Sequence, residues 1–446
     1  MIVITNAKIL CPDRIIENGE IYIRDGIIDS IIDVGAAPRG RPHPGQPQGV
    51  APTKIDAQHG LVMPGLTNTH MHLYSTFARG MALKGFAPNN FVEILEGLWW
   101  KLDKALTHED IYYSALIPLI ECIKSGTTTI IDHHASPNCV PGSLDKIVEA
   151  LHQIPVRASL CYEVSDRDGE KIVNQGIEEN MRFIKACGDS KMMQGLFGMH
   201  ASFTISDSTL QNIVHNVHPV QGMHVHTAEA ASDAEDSRKK YGLGIVERFH
   251  KHGLLNPKTI LAHCVHISEK EMDLIAESKA NVVHNPESNM NNAVGAANVP
   301  LMLAKGCCVG LGTDGMTSDM FQESKAAHLF TKHNSKDTKV GFSEAGKLLF
   351  ENNHKIISNI FDVTTGKIEK GAVADVIILD YKPPTPLTHE NFLGHFLFGM
   401  NSSNVATTIV NGKVLMENRE LKGIDEEQIT AKSREMAAKL WKRIWM

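Results

Sequence analysis

The 446-residue chain contains no CxxC pair; its eight cysteines, Cys11, Cys122, Cys139, Cys161, Cys187, Cys264, Cys307 and Cys308, lie scattered along it. This spacing argues against both a disulfide framework and a cysteine-rich zinc site. No stretch approaches the roughly 18 consecutive apolar residues of a membrane span, so no membrane association is expected. The opening residues, MIVITNAKILCPD, lack the basic start and uninterrupted apolar core of a secretory signal, and a cytoplasmic location is expected. The formal net charge of -7 comes without any basic block, which removes the usual electrostatic footprint of nucleic-acid binding and points to a small-molecule substrate. What remains is a chain with 42% hydrophobic and 21% charged residues, close to the average of soluble globular domains, and with 23 histidines whose positions matter more than their number.

The pattern along the chain changes twice. Over the first 35 residues, short β-rich runs (IVITNAKIL, EIYIRDGIIDSII) alternate with turn residues, Asn18-Gly19 and Asp25-Gly26, which predicts a small antiparallel sheet. Residues 38–52, PRGRPHPGQPQGVAP, are too rich in proline and glycine for a helix or central strand and are expected to form a surface loop. From residue 60 to about 360, eight strand candidates alternate with helical segments: LVMPGLTNT, TTTIIDHH, RASLCYEV, GLFGMHA, GMHVHTAE, TILAHCV, NVVHNP and CVGLGTDG. Eight β-plus-α units predict a closed parallel (β/α)8 barrel of the TIM type. Beyond about residue 362 the strand pattern returns, with Asn411-Gly412 as a hairpin turn, and the chain ends in a helical run, EEQITAKSREMAAKLWKRIWM. The expected organisation is an α/β fold in which a barrel, 59–361, is inserted into a small β-sandwich made from 1–58 and 362–446, the latter including the final helix.

Barrel enzymes carry their chemistry at the C-terminal ends of the strands. His70 and His72 follow strand one, His133 and His134 end strand two, and His200 ends strand four. His226 and Glu229 end strand five, His263 strand six and Asp314 strand eight. Two residues apart on an extended strand, the imidazoles of His70 and His72 share a face and can reach one ion. His226 stands nearer its strand end than His224, which reads as a hydrogen-bonded histidine one layer deeper in the barrel. Asp314, in GLGTDG, has small neighbours that let the chain turn and leave its carboxylate above the ring. These positions make His70, His72, His226 and Asp314 the expected metal ligands. Glu229 is the expected general acid/base, and His263 the expected polariser of the attacked or leaving group. His133, His134, Glu163, Arg167, Phe203 and Asn285 stand near the barrel mouth as substrate contacts or as structural residues, and the pattern does not choose between these roles; Trp99 and Trp100, on a predicted helix, read as packing.

These residues, in this order, resemble the amidohydrolase superfamily, in particular its mononuclear branch of chlorohydrolases and aminohydrolases acting on triazines and nucleobase-like rings. The similarity is carried by VMPGLTNTHMH, SGTTTIIDHH, HVHTAE, AHCVH, NPESNM, GTDG and the late GKIEKGAVADVIILD, and covers nearly the whole chain. WWKLDKAL, IIDHHASP, SNMNNAVG and LGTDGMTSDMF more closely resemble the SsnA-type aminohydrolases. The resemblance implies His70, His72, His226 and Asp314 as ligands, Glu229 as proton shuttle, His263 as polariser, His200 as a substrate contact, and a homodimer. Binuclear members bridge two metals with a strand-four lysine; GLFGMHASFT has His200 there instead, which implies one divalent ion, with zinc expected and iron or manganese also compatible with three histidines and an aspartate. The implied reaction is hydrolytic deamination of an amino-substituted N-heterocycle (purine, pyrimidine, pterin or triazine-like). The alternatives are hydrolysis of another C–N or C–Cl bond on a similar ring, or a non-catalytic, metal-stabilised binding protein.

Overall fold

The first five strands, β1 (Ile2–Leu10), β2 (Ile15–Arg24), β3 (Ile27–Asp33), β4 (Thr53–Asp56) and β5 (Leu61–Pro64), all join one sheet. The computed structural model describes residues 1–35, 52–217 and 221–445; the expected 38–52 loop, Pro52 apart, lies outside them. Asp25-Gly26 makes the β2–β3 turn as expected, with both residues at positive φ. Asn18-Gly19 does not make a turn: it lies inside β2, and the β1–β2 connection falls at Cys11–Arg14, closed by the Cys11 amide donating to the Arg14 carbonyl at 2.9 Å. Gly19 is in β2 because of space, since a Cβ there would come within 2.5 Å of Ile9 Cδ1.

The ring strands are β6 (Leu66–Met71), β7 (Thr127–Asp132), β8 (Arg157–Leu160), β9 (Met193–Gly195), β10 (Phe197–Ala201), β11 (Met223–Thr227), β12 (Ile260–His263), β13 (Asn281–His284) and β14 (Cys308–Leu311). They pair in parallel in two runs, β6-β7-β8-β9 and β10-β11-β12-β13-β14. The expected fourth strand is therefore broken: β9 pairs with β8 and β10 with β11, and the chain changes partners at Leu196. The Val164–Met199 bridge spans this seam, and the Met71–Asp314 bridge spans the other. The amides of Thr313 and Asp314, each 2.9 Å from the His70 carbonyl, reinforce the second seam. This is the TIM-type barrel, and its strands read as β-branched runs because both of their faces are buried. Among the helices between them, His108–Ser125 has a capping box of Thr107 and Asp110 and stops at Gly126, whose φ of 77° supplies the left-handed cap.

The last strands, β15 (Val376–Leu379), β16 (Val405–Val410), β17 (Lys413–Glu417) and β18 (Glu420–Leu421), return to the first sheet, in the order β18-β17-β16-β15-β5-β1-β2-β3 with β4 beside β1. Asn411-Gly412 is the two-residue β16–β17 turn, with φ values of 47° and 72°. The β2–β3 turn meets Ala372–Ala374, just before β15, and residues from both halves of the sheet share an apolar cluster that includes Ile4, Ile21, Ile55, Val376 and Ile409. The expected first barrel strand, LVMPGLTNT, is likewise divided at Gly65: β5 serves this terminal sheet and β6 the ring. Arg157 and Asp375 tie the two layers with a buried bidentate ion pair of 3.0 and 3.2 Å. The helix Glu426–Trp445 packs against His108–Ser125.

Candidate active site

At the C-terminal mouth of the ring, one ligand-type atom from each of His70, His72, His226 and Asp314 lies within 4.8 Å of the others. Asp314 Oδ1 is 3.0 Å from His72 Nε2 and 3.6 Å from His70 Nε2, and the His72 and His226 Nε2 atoms are 3.2 Å apart. The local chain explains the convergence. His70 lies in the last pleat of β6 and His72 just after it, His226 lies in β11, and Asp314 follows β14 in a left-handed conformation with φ 53°. A Cβ on Gly312 would lie 2.7 Å from Asn285 Oδ1 and 2.8 Å from the His70 backbone, so only glycine admits this approach.

The second nitrogen of each ring is already engaged. His72 Nδ1 is 2.5 Å from the His133 carbonyl, His226 Nδ1 is 2.8 Å from the His200 carbonyl, and His70 Nδ1 is 2.8 Å from His224 Nε2. His70 Nε2, fully buried, has no hydrogen-bond partner. Burial brings the His70 ring down to about 3, outweighing Asp314, so it is neutral at pH 7. For His72 burial again opposes charge, but the Asp314 carboxylate at 3.0 Å outweighs it and pushes the ring up to about 9. Three imidazole nitrogens turned toward a carboxylate, one of them an orphan, with the opposite nitrogens held by carbonyls or a ring, form a donor set that fits a divalent transition metal.

Glu229 and His263 stand beside this cluster. Glu229 Oε2 is 3.5 Å from His263 Nε2, which in turn lies 3.7 Å from Asp314 Oδ2. Glu229 is reached from β11 through Ala228, at φ 47°, and His263 itself sits at φ 73°; such strained non-glycine positions cluster where side-chain placement is over-determined. Burial, opposed by His263 and reinforced by Asp314, raises the Glu229 carboxyl from 4.5 to about 7. The helix Pro286–Asn291 and the residue after it supply a support that the sequence reading missed: Ser288 Oγ donates to Asp314 Oδ2 at 2.5 Å, Asn292 Nδ2 donates to Glu229 Oε1 at 3.2 Å, and Asn289 Oδ1 is 2.8 Å from His263 Nδ1. The signal was there in NPESNMNN, whose polar residues recur at helical spacing after strand seven.

Above these groups opens a cavity of about 790 Å³ including its mouth. His72, His200, His226, Glu229 and Asp314 are in its wall; His134 and Asn285 are not. His134 turns to Ser136 at 3.0 Å, and Asn285 stands behind His263 at 3.4 Å. His200 does face the opening, its Nδ1 held by Thr204 Oγ1 at 2.7 Å. Phe91, Leu95, Trp99, Trp100, Phe203 and Met316 give the outer wall an aromatic and apolar character, so both tryptophans line the cavity rather than only packing. Trp99 ends a π-helical turn, Leu95–Trp99, and Trp100 follows it, inside the stretch read as one regular helix. Behind Trp100 lies a buried charge cluster: Arg167 pairs with Asp103 at 2.6 Å and Glu163 at 3.4 Å, and its guanidinium covers the Trp100 ring at 5.1 Å. Burial drives Asp103 up to about 7 against the pull of Arg167, whereas His200, Arg167 and His133 overcome burial at Glu163 and hold it well below the usual range.

Comparison with known proteins places this geometry. The model of the amidohydrolase family matches residues 61–415. A 5-methylthioadenosine/S-adenosylhomocysteine deaminase of Syntrophomonas wolfei is 33% identical over 433 residues, 95% of each chain. A 5'-deoxyadenosine deaminase of Methanosarcina barkeri is 31% identical over 455 residues, 99% of each. Among solved structures, an adenosine deaminase from Xanthomonas campestris with bound zinc superimposes with a TM-score of 0.85 at 21% identity, covering 98% of both chains. No helix among the described residues is long and apolar enough to cross a membrane.

Proposed function

The chain belongs to the amidohydrolase family and is a hydrolytic enzyme for non-peptide C–N bonds, and on that premise we propose that it deaminates an adenine nucleoside or a closely similar aminopurine, using one divalent metal ion, zinc, held by His70, His72, His226 and Asp314. The observation that carries this reading is Glu229: a buried carboxyl near neutrality, 3.5 Å from His263 and beside the four-donor cluster. Loss of ammonia needs a proton delivered to a poor leaving group, and a carboxyl poised near pH 7 is suited to hold and release one.

A cation bound by these residues supplies Lewis acidity for the activation of water. Asp314, fixed by Ser288, accepts the proton of the attacking water at its carboxylate. Glu229, steadied by Asn292, delivers its proton to the ring nitrogen, takes up the hydroxyl proton of the tetrahedral carbon as that carbon becomes a carbonyl, and passes it to the departing amine; the proton held by Asp314 then restores Glu229. His263 Nε2 stands between the two carboxylates, where it faces the charge that develops at the attacked carbon's substituent. His200 and the aromatic wall of Trp99, Trp100 and Phe203 orient the ring and keep water away from its faces. Asn285 works through His263 instead of touching substrate. We further propose that residues 59–361 act as the catalytic unit and that 1–58 with 362–446 form its companion, a reading supported by the terminal sheet, which takes β1 to β4 and β15 to β18 from these two segments while every ring strand lies between Leu66 and Leu311.

The test is a coupled measurement of bound metal and ammonia release with 5'-deoxyadenosine, 5-methylthioadenosine, adenosine and guanine, alongside Glu229→Gln. Stoichiometric metal with ammonia release that Glu229→Gln lacks is the expected result. No ammonia from any aminopurine, or full activity in Glu229→Gln, would overturn the reading.

A further inference from the structure

The three imidazoles of the donor cluster are not oriented by the same kind of partner. His72 and His226 rest their Nδ1 atoms on the backbone carbonyls of His133 and His200, which no side-chain substitution removes. His70 rests on a side chain, His224, which is fully buried and does not line the cavity. From His224 a chain of contacts runs deeper into the barrel: its Nδ1 is 3.7 Å from Cys161 Sγ, and Cys161 Sγ is 3.5 Å from the Asp132 carbonyl. All four residues are buried.

Hydrogen positions along this chain follow from its inner end. A carbonyl oxygen can only accept, so the Cys161 thiol donates to Asp132. The sulfur lone pairs then accept from His224, which places the His224 proton on Nδ1 and leaves Nε2 as an acceptor. His224 Nε2 therefore receives a proton from His70 Nδ1, and His70 is left with a bare lone pair on Nε2, the orphan atom that faces Asp314, His72 and His226. Each link has one donor and one acceptor, and reversing any of them sets two protons or two lone pairs against each other in a buried contact.

We propose that Asp132, Cys161 and His224 form a positioning chain that fixes the tautomer and ring plane of His70 as the Nε2 donor to a divalent cation, with His224 as the side chain that meets His70 directly. The proposal rests on the assignment of His70 as a metal ligand. It makes His224 a positioning residue whose effect is on metal affinity, with no contact to substrate.

The experiment is competition for Zn²⁺ between a chromogenic chelator and the metal-stripped wild type, His224→Leu, His224→Gln and Cys161→Ala, with the Tm of each metal-free protein measured in parallel. His224→Leu removes the acceptor and is expected to bind Zn²⁺ about 10- to 100-fold more weakly. His224→Gln offers a carbonyl to His70 Nδ1 and is expected to stay within a few-fold of wild type, and Cys161→Ala to weaken binding by a few-fold. A merely structural role would lower the metal-free Tm and leave the dissociation constant unchanged, which overturns the proposal, as does equal weakening by Leu and Gln. Should His224→Leu not fold, nitrogen-15 histidine spectra of the metal-free wild type decide: protons on Nδ1 of both His70 and His224 support the chain, and a proton on Nε2 of either refutes it. Absence of Zn²⁺ binding by the wild type itself is a different result, and it refutes the assignment of the metal ligands.

Discussion

Replacing Glu229 by glutamine should make the metal-free protein more stable and the enzyme nearly inactive, and the stability gain should depend on pH in a defined way. In the folded chain burial raises this carboxyl from 4.5 to about 7. At ~1.4 kcal/mol for each tenfold change in proton affinity, that difference corresponds to about 3 kcal/mol. The sign follows from linkage: below about pH 4.5 the carboxyl is protonated whether folded or unfolded and costs nothing. As pH rises through about 7 the unfolded chain is already ionised, while the folded chain resists ionisation, so stability falls across that interval. Glutamine cannot ionise and escapes the loss. Denaturant titrations of metal-stripped wild type and Glu229→Gln should therefore coincide near pH 4 and differ by about 3 kcal/mol at pH 8. On any substrate turned over, kcat of the variant should drop by about 10²- to 10⁴-fold, the usual contribution of a positioned acid or base. A stability difference that is the same at pH 4 and pH 8 would refute the claim that burial of this carboxyl is what tunes it.

The metal site, the buried ion pair and the charge of the cavity wall set three further outcomes. Chelation should abolish ammonia release and lower the Tm, with about 4 kcal/mol of linkage stabilisation restored when free metal reaches a thousandfold excess over its Kd; calorimetry with and without added Zn²⁺ checks this. Asp375→Ala should destabilise the protein by about 3–5 kcal/mol in denaturant titration, because it strands the fully buried Arg157 guanidinium, whereas a change under 1 kcal/mol would mean that the pair is idle. The cavity wall carries Asp103, Glu163 and Asp233 while Arg167 is occupied by the first two, so the 5'-phosphate of any nucleoside accepted should be at least about tenfold poorer in kcat/KM than the nucleoside itself; equal kinetics would show that the charge cluster does not reach the substrate.

Much of this arrangement can be read along the chain because barrel chemistry follows strand ends. His70, His72, His226, Glu229, His263 and Asp314 each end or follow a run whose β-branched residues mark it as a strand, and that local signal was enough to bring six distant positions to one mouth. Turn chemistry was equally plain at Asn411-Gly412, where positive φ is required at both residues. It misled at Asn18-Gly19, because that glycine answers to the nearness of Ile9 across the sheet and not to a turn. The break at Leu196 was invisible for a related reason: pairing partners, not composition, decide where β9 ends and β10 begins. Asp103 and Arg167 are 64 positions apart, and nothing in either neighbourhood announces their contact. Trp99 and Trp100 have the spacing of packing residues, and nothing in the sequence marks the π-helical turn Leu95–Trp99 in the stretch that lines the cavity.

The terminal sheet has an implication for the order in which the chain can finish folding. β5 is the centre strand that receives β1 on one side and β15 on the other, and β16, β17 and β18 extend the sheet beyond β15. On the ribosome, β1 to β5 emerge early and must wait through synthesis of the entire ring with one hydrogen-bonding edge of β5 open. Nascent chains stalled before Val376 would thus expose an apolar edge next to a nearly complete catalytic ring, and it is there, more than at the histidines, that a chaperone would find work.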